Sequence, residues 1–115
     1  MGTDETPSSI VHRYYEAWSA GDIAAISDIV ADGLVGHAGA SRFARDDLLT
    51  FRLGLAQRFD RLGIRTREVV AQDDRVAAAW TTHGDGGTWH GISLYRIVDG
   101  LIAEIQDVRT PEPRH

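Results

Sequence analysis

Apolar residues in the first part of the chain recur at the spacing of a helix. They stand at positions 10, 11, 14 and 18. Thr6 is predicted to cap this helix, with Pro7 at its first position, where a missing N–H costs nothing. Gly21 is predicted to end the helix, and Asp22 to cap a second, short helix over 23–30.

The next segment predicts a brief strand and then a third helix. Asp32-Gly33 turns the chain into a strand over 34–37, followed by a loop of small residues over 36–40. The helix is predicted to begin near Asp46 or Asp47, because acidic residues suit a helix N-terminus. Gly63 ends it. The apolar side chains that follow at helical steps, and that predict its buried stripe, are Leu48, Phe51, Leu55, Phe59 and Leu62.

The rest of the chain alternates between apolar and polar positions, which is typical of strands. The predicted strands cover 65–71, 75–83, 88–98 and 101–109. Their turns are Asp73-Asp74, the glycine-rich run 84–87 and Asp99-Gly100, an Asp-Gly pair that suits a tight hairpin. Helices followed by an antiparallel sheet indicate an α+β fold.

Strand periodicity predicts which side chains share a face of this sheet, because successive residues point to opposite sides. If Trp80 faces the concave side, closing the hairpin about Asp85-Gly86 pairs Trp80 with Gly91. Directly opposed residues share a face. The concave set becomes Val76, Ala78, Thr82, Trp89, Ser93, Tyr95, Ile97, Ala103, Ile105 and Asp107, and the outer set includes Ala77, Ala79, Thr81, His83, His90, Ile92, Leu94 and Arg96. A carboxylate among apolar side chains, as predicted for Asp107, must be paired, hydrogen-bonded or protonated.

Composition narrows the class of protein. A length of 115 residues suits one domain, predicted as a disordered lead over 1–6 and a single domain over 7–115. The net charge of −5 and the scattered arginines argue against nucleic-acid binding. Cysteine is absent, which excludes disulfides, thiolate metal ligands and a cysteine nucleophile. No apolar run has the length of a membrane span, and no signal-peptide layout is seen, so a cytoplasmic protein is predicted.

The segments 11–22 and 94–107 resemble the domain shared by nuclear transport factor 2, ketosteroid isomerases and SnoaL-type polyketide cyclases. The resemblance extends from about residue 8 to residue 108. It implies a cone-shaped (cystatin-like) fold in which three N-terminal helices pack on a curved antiparallel sheet and enclose a pocket. It also implies a homodimer through the outer sheet face, where the apolar residues Ile92 and Leu94 have no helix to cover them.

The same resemblance implies roles for individual residues. Ketosteroid isomerases carry a tyrosine after an arginine on the first helix, which matches Tyr14. Their general base falls on His37 and their second oxyanion donor on Ser93, where the isomerases have aspartates. SnoaL-type cyclases carry an acid/base aspartate on the last strand, which matches Asp107, but their Gly-Thr-His segment is replaced here by 84–86. The Asp-Arg-Asp triad of limonene epoxide hydrolases finds no match.

These observations predict a cofactor-independent and metal-independent acid–base enzyme acting on a small apolar, carbonyl-bearing molecule. It would be a cyclase, isomerase or dehydratase, with Asp107, His37 and Tyr14 as catalytic residues and Asp107 within direct or water-bridged hydrogen-bond reach of His37. The predicted substrate-binding residues are Trp18, Trp80, Thr82, Trp89, Ser93, Tyr95 and Ile105.

Other interpretations of the same residues stay open. His37 also suits a surface position, Asp107 a strand end or a pair with Arg109, and Tyr14 a core ring with a hydrated hydroxyl. A metal site at His83, His90 and Asp85 lacks a further convincing ligand. The same fold also suits a small-molecule-binding protein without chemistry, or an assembly domain that works through its outer face.

Overall fold

Three helices precede most of a six-stranded sheet, which confirms the α+β class. The computed structural model describes residues 6–58, 62–84 and 87–109, without the side chains of Arg58 and Arg109. The elements in chain order are α1 (Pro7–Ala20), α2 (Ile23–Ile29), β1 (Val30–Ala38), β2 (Ser41–Phe43), α3 (Arg45–Arg58), β3 (Leu62–Gln72), β4 (Arg75–Gly84), β5 (Gly87–Val98) and β6 (Leu101–Arg109). The predictions for Phe59 and for the turn residues Asp85 and Gly86 lie outside the described residues.

The boundaries of the first two helices follow the predicted caps. The Thr6 side chain accepts a hydrogen bond from the Ser9 N–H, and Pro7 occupies the first helical position. Gly21 adopts a left-handed conformation with φ of 69°, and its N–H bonds back to carbonyls of the last turn. Asp22 caps α2 by accepting from the Ala25 N–H at 3.1 Å. The ends of α1 and the start of α2 are thus set by hydrogen bonds between residues that are close in sequence.

The buried side of α3 differs from the predicted stripe. Leu48 is buried as predicted, but Phe51 is 50% exposed and Arg52 is 4% exposed. The Arg52 Nε donates to the Trp18 carbonyl at 2.8 Å, at the C-terminal end of α1. A cation there adds a hydrogen bond to a carbonyl of the last turn and complements the helix dipole. The buried residues of α3 are therefore Leu48 and Arg52, whereas Phe51 is half exposed; Leu55 is only partly buried, and Leu62 belongs to β3.

The sheet is mixed, with the strand order β2-β1-β6-β5-β4-β3. β1 runs parallel to β6, whereas the other neighbouring strands are antiparallel. The prediction of a wholly antiparallel sheet is therefore wrong. Hairpins set the direction of consecutive strands, but β1 follows two helices and joins the free edge of a strand that is distant in sequence. The sheet is not closed.

β1 is longer than the predicted strand, and the segment predicted as a loop continues into β2. Gly36 lies opposite Phe43 in the β1–β2 ladder. A Cβ on Gly36 would stand 2.2 Å from the Phe43 ring, so only glycine lets that ring lie across the strand. The turn between the strands contains Gly39 with φ of 62°. This close approach lets β2 fold back on β1.

The register of β4 and β5 is the predicted one, with Trp80 opposite Gly91 and Thr82 opposite Trp89. The predicted concave residues that are buried are Val76, Ala78, Trp80, Gly91, Ser93, Tyr95, Ile97 and Ile105. The two-residue Asp99-Gly100 turn pairs Ile97 with Ile102, and a register shift between Arg96 and Ile97 then pairs Arg96 with Glu104 and leaves Ala103 as the extra residue. Ile102 is therefore fully buried, and Ala103, predicted to face inward, is only partly buried.

The core lies between the concave face of the sheet and the helices. α1 contributes the largest share, through Ile10, Val11, Tyr14, Tyr15 and Ala17, and α2 adds Ile26 and Ile29. In the described part of the chain, no helix has the length and apolar character needed to cross a membrane.

Candidate functional site

Asp107 lies near the end of β6 on the concave face, opposite Ser93 of β5 and Ala38 of β1. Its side chain is partly buried. The Ser93 hydroxyl donates to Asp107 Oδ1 at 2.5 Å, and Ser93 itself is only 1% exposed. An otherwise buried serine thus holds one carboxylate oxygen in a defined position.

Trp80 holds the other side of Ser93. The Trp80 indole Nε1–H donates to Ser93 Oγ at 2.8 Å. Its ring lies across Gly91, where an added Cβ would stand 2.3 Å from the indole Cζ2. Trp80, Ser93 and Asp107 therefore form one hydrogen-bonded series that crosses β4, β5 and β6.

Three tyrosines surround this series from α1 and β5. The Tyr15 and Tyr95 hydroxyls are 2.6 Å apart. The ring centroid of Tyr14 lies 5.7 Å from each of their rings, in edge-on geometry. Burial raises the pKa of Tyr14 and Tyr95 well above the ordinary value, and the Asp107 charge adds to the rise. Burial likewise raises the pKa of Tyr15. All three hydroxyls are therefore neutral over the physiological pH range.

Trp18 adjoins this group through the Tyr14 ring, at a centroid distance of 6.2 Å. The Arg52 guanidinium lies 5.6 Å from the centre of its ring, and Phe51 packs beside it at 6.3 Å. Its buried indole N–H makes no hydrogen bond of ordinary geometry within the described structure, but it interacts with the Tyr14 hydroxyl and partly offsets the rise that burial causes in the pKa of Tyr14.

His37 does not join the site. In the parallel ladder His37 pairs with Gln106, one position before Asp107, and across β2 it pairs with Arg42. Successive residues of a strand point to opposite faces, so His37 lies on the outer face, where it is exposed. The predicted hydrogen bond between His37 and Asp107 is thus wrong. The prediction assigned faces only along the consecutive strands β4, β5 and β6. The face of His37 depends on how β1 aligns with β6, which only the tertiary structure shows.

The remaining predicted residues occupy the concave side. Thr82 and Trp89 are partly buried and lie opposite each other, one step beyond Trp80 and Gly91. Ile105 is buried opposite Tyr95. The predictions missed Tyr15, which bonds Tyr95. The spacing of Val11 and Tyr15, one helical turn apart, was the available signal.

A hollow of about 540 Å³ opens between α1 and β3. Its lining consists of His12, Tyr15, Glu16, Ser19, Ala20, Ile64, Arg65 and Thr66. Tyr15 is the one residue that this lining shares with the group around Asp107.

His83 and His90, on the outer face of β4 and β5, are paired with threonines. His90 Nδ1 lies 3.0 Å from Thr81 Oγ1, and His83 Nδ1 lies 3.2 Å from Thr88 Oγ1. Asp85 lies outside the described residues. Within the described ranges, no three His, Cys, Asp or Glu side chains gather in the way that a metal ion requires.

The model of the SnoaL-like domain matches residues 11–105. The chain therefore belongs to the SnoaL-like domain family. Comparison with curated proteins gave no match.

Solved structures share the same architecture. IdmH from Streptomyces antibioticus, provisionally assigned as a polyketide cyclase, matches with a TM-score of 0.82 and 20% identity, over 91% of this chain and 92% of its own. A provisionally assigned ketosteroid isomerase from Kribbella flavida has a TM-score of 0.81 and 15% identity, over 95% and 81%. AclR from Streptomyces galilaeus, provisionally assigned as a hydroxylase, has a TM-score of 0.80 and 21% identity, over 90% and 74%. Identities this low show the fold alone.

Proposed function

We propose that this protein is a cofactor-independent acid–base enzyme that acts on a small apolar molecule bearing a carbonyl group. Asp107 is the acid/base residue, and the reaction is a cyclisation, isomerisation or dehydration. The observation that supports this most is the Asp107 carboxylate itself, which is partly buried, held by Ser93 and bordered by neutral tyrosines. A low-polarity surrounding suits a carboxylate that exchanges protons with carbon near neutral pH.

The first chemical step is proton transfer from carbon. Asp107 takes a proton from the carbon next to the carbonyl, the electron pair of that C–H bond becomes the C=C bond of an enolate, and the π pair of the carbonyl moves onto its oxygen. Tyr14 is the proposed donor to this oxygen, because its hydroxyl is neutral and lies within the electrostatic reach of Asp107. The Trp18 N–H, which interacts with the Tyr14 hydroxyl, is a second proposed donor. The enolate then either regains the proton at another carbon or attacks a second carbonyl.

The provisional assignments of the structural neighbours favour this class of reaction. IdmH is associated with polyketide cyclisation and the Kribbella protein with ketosteroid isomerisation. Both reactions pass through an enol or enolate of an apolar substrate. The neighbours and the composition of the site therefore both favour enolate chemistry. The substrate is to be identified by experiment.

Deuterium exchange on model ketones tests the proposed step and does not require the natural substrate. A Δ5-3-ketosteroid and an aromatic β-ketoester are incubated with the protein in D₂O, and deuteration next to the carbonyl is followed by NMR. The wild type is expected to accelerate exchange on one of these ketones, and Asp107→Asn to lose at least about 100-fold, as is usual for a general base. Asp32→Asn, an exposed change on β1, is the matched control.

A second candidate is a small-molecule-binding protein that uses the same residues without chemistry. The aromatic cluster of Tyr14, Trp18 and Phe51 supports it equally. Tight binding of an apolar ketone with no exchange above background, in wild type and Asp107→Asn alike, would favour this candidate and contradict the enzyme.

We also propose that two copies of the chain pair through their outer sheet faces. Two adjacent cross-strand rows on this face are largely apolar. One contains Val70, Ala77 and Leu94, and the other contains Ala79, Ile92 and Val108. Ile92 is 52% and Val108 is 62% exposed in the single chain. Apolar patches of this kind are usually covered in solution, and a two-fold axis covers both copies at once.

A further inference from the structure

The Ser93 hydroxyl lies between the Trp80 N–H, which can only donate, and the Asp107 carboxylate, which accepts from it; the Tyr15 hydroxyl is a third neighbour. A serine hydroxyl has one hydrogen to donate and lone pairs to accept. Trp80 Nε1 carries a hydrogen and has no lone pair to offer, so at 2.8 Å Ser93 Oγ must be the acceptor. The single Ser93 hydrogen is then available for Asp107 Oδ1, 2.5 Å away.

We propose that Gly91 and Trp80 are positioning residues that orient the Ser93 hydroxyl toward Asp107 and thereby keep Asp107 ionised at neutral pH. A hydrogen bond donated to a carboxylate favours its charged form, whereas burial alone favours the protonated form. The catalytic importance of this inference rests on the proposed function, because it is the ionised form of Asp107 that removes a proton from carbon.

Gly91 matters because it leaves room for the Trp80 ring. Trp80 lies directly opposite Gly91, and a Cβ at residue 91 would stand 2.3 Å from Cζ2 and 2.7 Å from Cη2 of the indole. Side-chain carbons do not approach so closely, so any other residue at this position displaces the ring. The displaced indole can no longer donate to Ser93, two residues further along the same strand.

The other described neighbours of Asp107 belong to α1, β5 and β1. Tyr14 and Tyr15 on α1 and Tyr95 on β5 interact with its charge and stay neutral. The β1 neighbour is Ala38, which is uncharged. The Arg109 side chain lies outside the described structure.

The pKa of Asp107 itself is the measurement. The side-chain carboxyl carbons of ¹³C-labelled protein are titrated by NMR without substrate, and the Asp107 signal is assigned by its absence in Asp107→Asn. Ser93→Ala is expected to raise this pKa by about 1 unit or more, the equivalent of one hydrogen bond to a charged group. Trp80→Phe, which keeps an aromatic ring and loses the N–H, is expected to raise it by a smaller amount.

Gly91→Ala is expected to act like Trp80→Phe. The matched control is Gly87→Ala, on the same strand and the same face, where a Cβ would meet the Trp89 ring at an ordinary 3.9 Å; its Asp107 pKa should equal that of the wild type. Amide NMR spectra verify the fold of each variant. Trp80→Phe tests the hydrogen-bonded series of Trp80, Ser93 and Asp107 even if Gly91→Ala does not fold.

An Asp107 pKa above 7 in the wild type, or one that Ser93→Ala and Trp80→Phe leave unchanged, overturns the proposal. An unchanged value in folded Gly91→Ala alone overturns the part that concerns Gly91. The outcome is separate from the enzyme hypothesis: shifted pKa values with no deuterium exchange would contradict the proposed function and leave the positioning of Asp107 intact.

Discussion

The hydroxyl groups of Tyr15 and Tyr95 meet at 2.6 Å inside the core, one from α1 and the other from β5. This contact joins the main helix to the strand that also carries Ser93. Tyr14 packs edge-on against both rings. The three tyrosines are all of the tyrosines in the chain, and all three have raised pKa values.

Alkaline pH is expected to unfold the protein through these tyrosines. Their pKa is higher in the folded state than the unfolded value of about 10, so the folded state retains protons that the unfolded state loses. Their contribution to stability is complete below pH 10 and falls as the pH rises beyond it, by about 1.4 kcal/mol per pH unit for each tyrosine. The chain has no lysine or cysteine to titrate in this range.

Urea unfolding at pH 8 and at pH 11, with tyrosinate absorbance at 295 nm, measures this effect. Tyrosinate should appear together with the loss of the far-UV circular dichroism. Tyr95→Phe should cost about 1 kcal/mol at pH 8, the usual value of one hydrogen bond, and reduce the alkaline slope by one third. Tyrosinate that forms at pH 10 to 11 in protein with unchanged circular dichroism would contradict the prediction.

Leu48 is expected to anchor α3 to the core. It is 6% exposed, whereas Leu53 on the same helix is 51% exposed. Leu48→Ala should therefore lower the free energy of unfolding by about 2–5 kcal/mol, and Leu53→Ala by less than about 0.5 kcal/mol. Chemical denaturation of the two variants checks this. Equal losses would mean that the helix packs through another face.

The outer-face dimer is tested by light scattering. The wild type is expected to have the mass of two chains at about 50 μM, a concentration at which an association of micromolar Kd is nearly complete. Ile92→Glu places a charge in the apolar rows and should give a folded monomer. Leu53→Glu, an equally exposed apolar position on α3, should remain a dimer. A monomeric wild type at this concentration would refute the proposed pairing.

Much of the fold is specified locally. Thr6, Gly21 and Asp22 end or begin helices by satisfying backbone groups within three or four residues. The hairpin between β4 and β5 follows from alternation and a short turn, so the opposition of Trp80 and Gly91 is predictable without tertiary contacts. The pairing of Ser93 with Asp107 also requires the register shift between Arg96 and Ile97, because strict pairing outward from the Asp99-Gly100 turn would place Gln106 opposite Ser93. The Trp80–Gly91 part of the candidate site is therefore implicit in the sequence, whereas the pairing of Asp107 depends on a bulge.

What the sequence left undetermined involves elements that meet only in three dimensions. The alignment of β1 against β6 turns His37 outward, and it depends on the path through α2 rather than on any turn. Arg52 is buried in preference to Phe51 because it reaches a carbonyl at the end of α1. Tyr15 bonds Tyr95 because α1 is rotated over the sheet so that the Tyr15 side chain faces β5. Caps, turns and alternation act over a few residues, whereas these choices depend on the packing of distant segments, which only the tertiary structure decides.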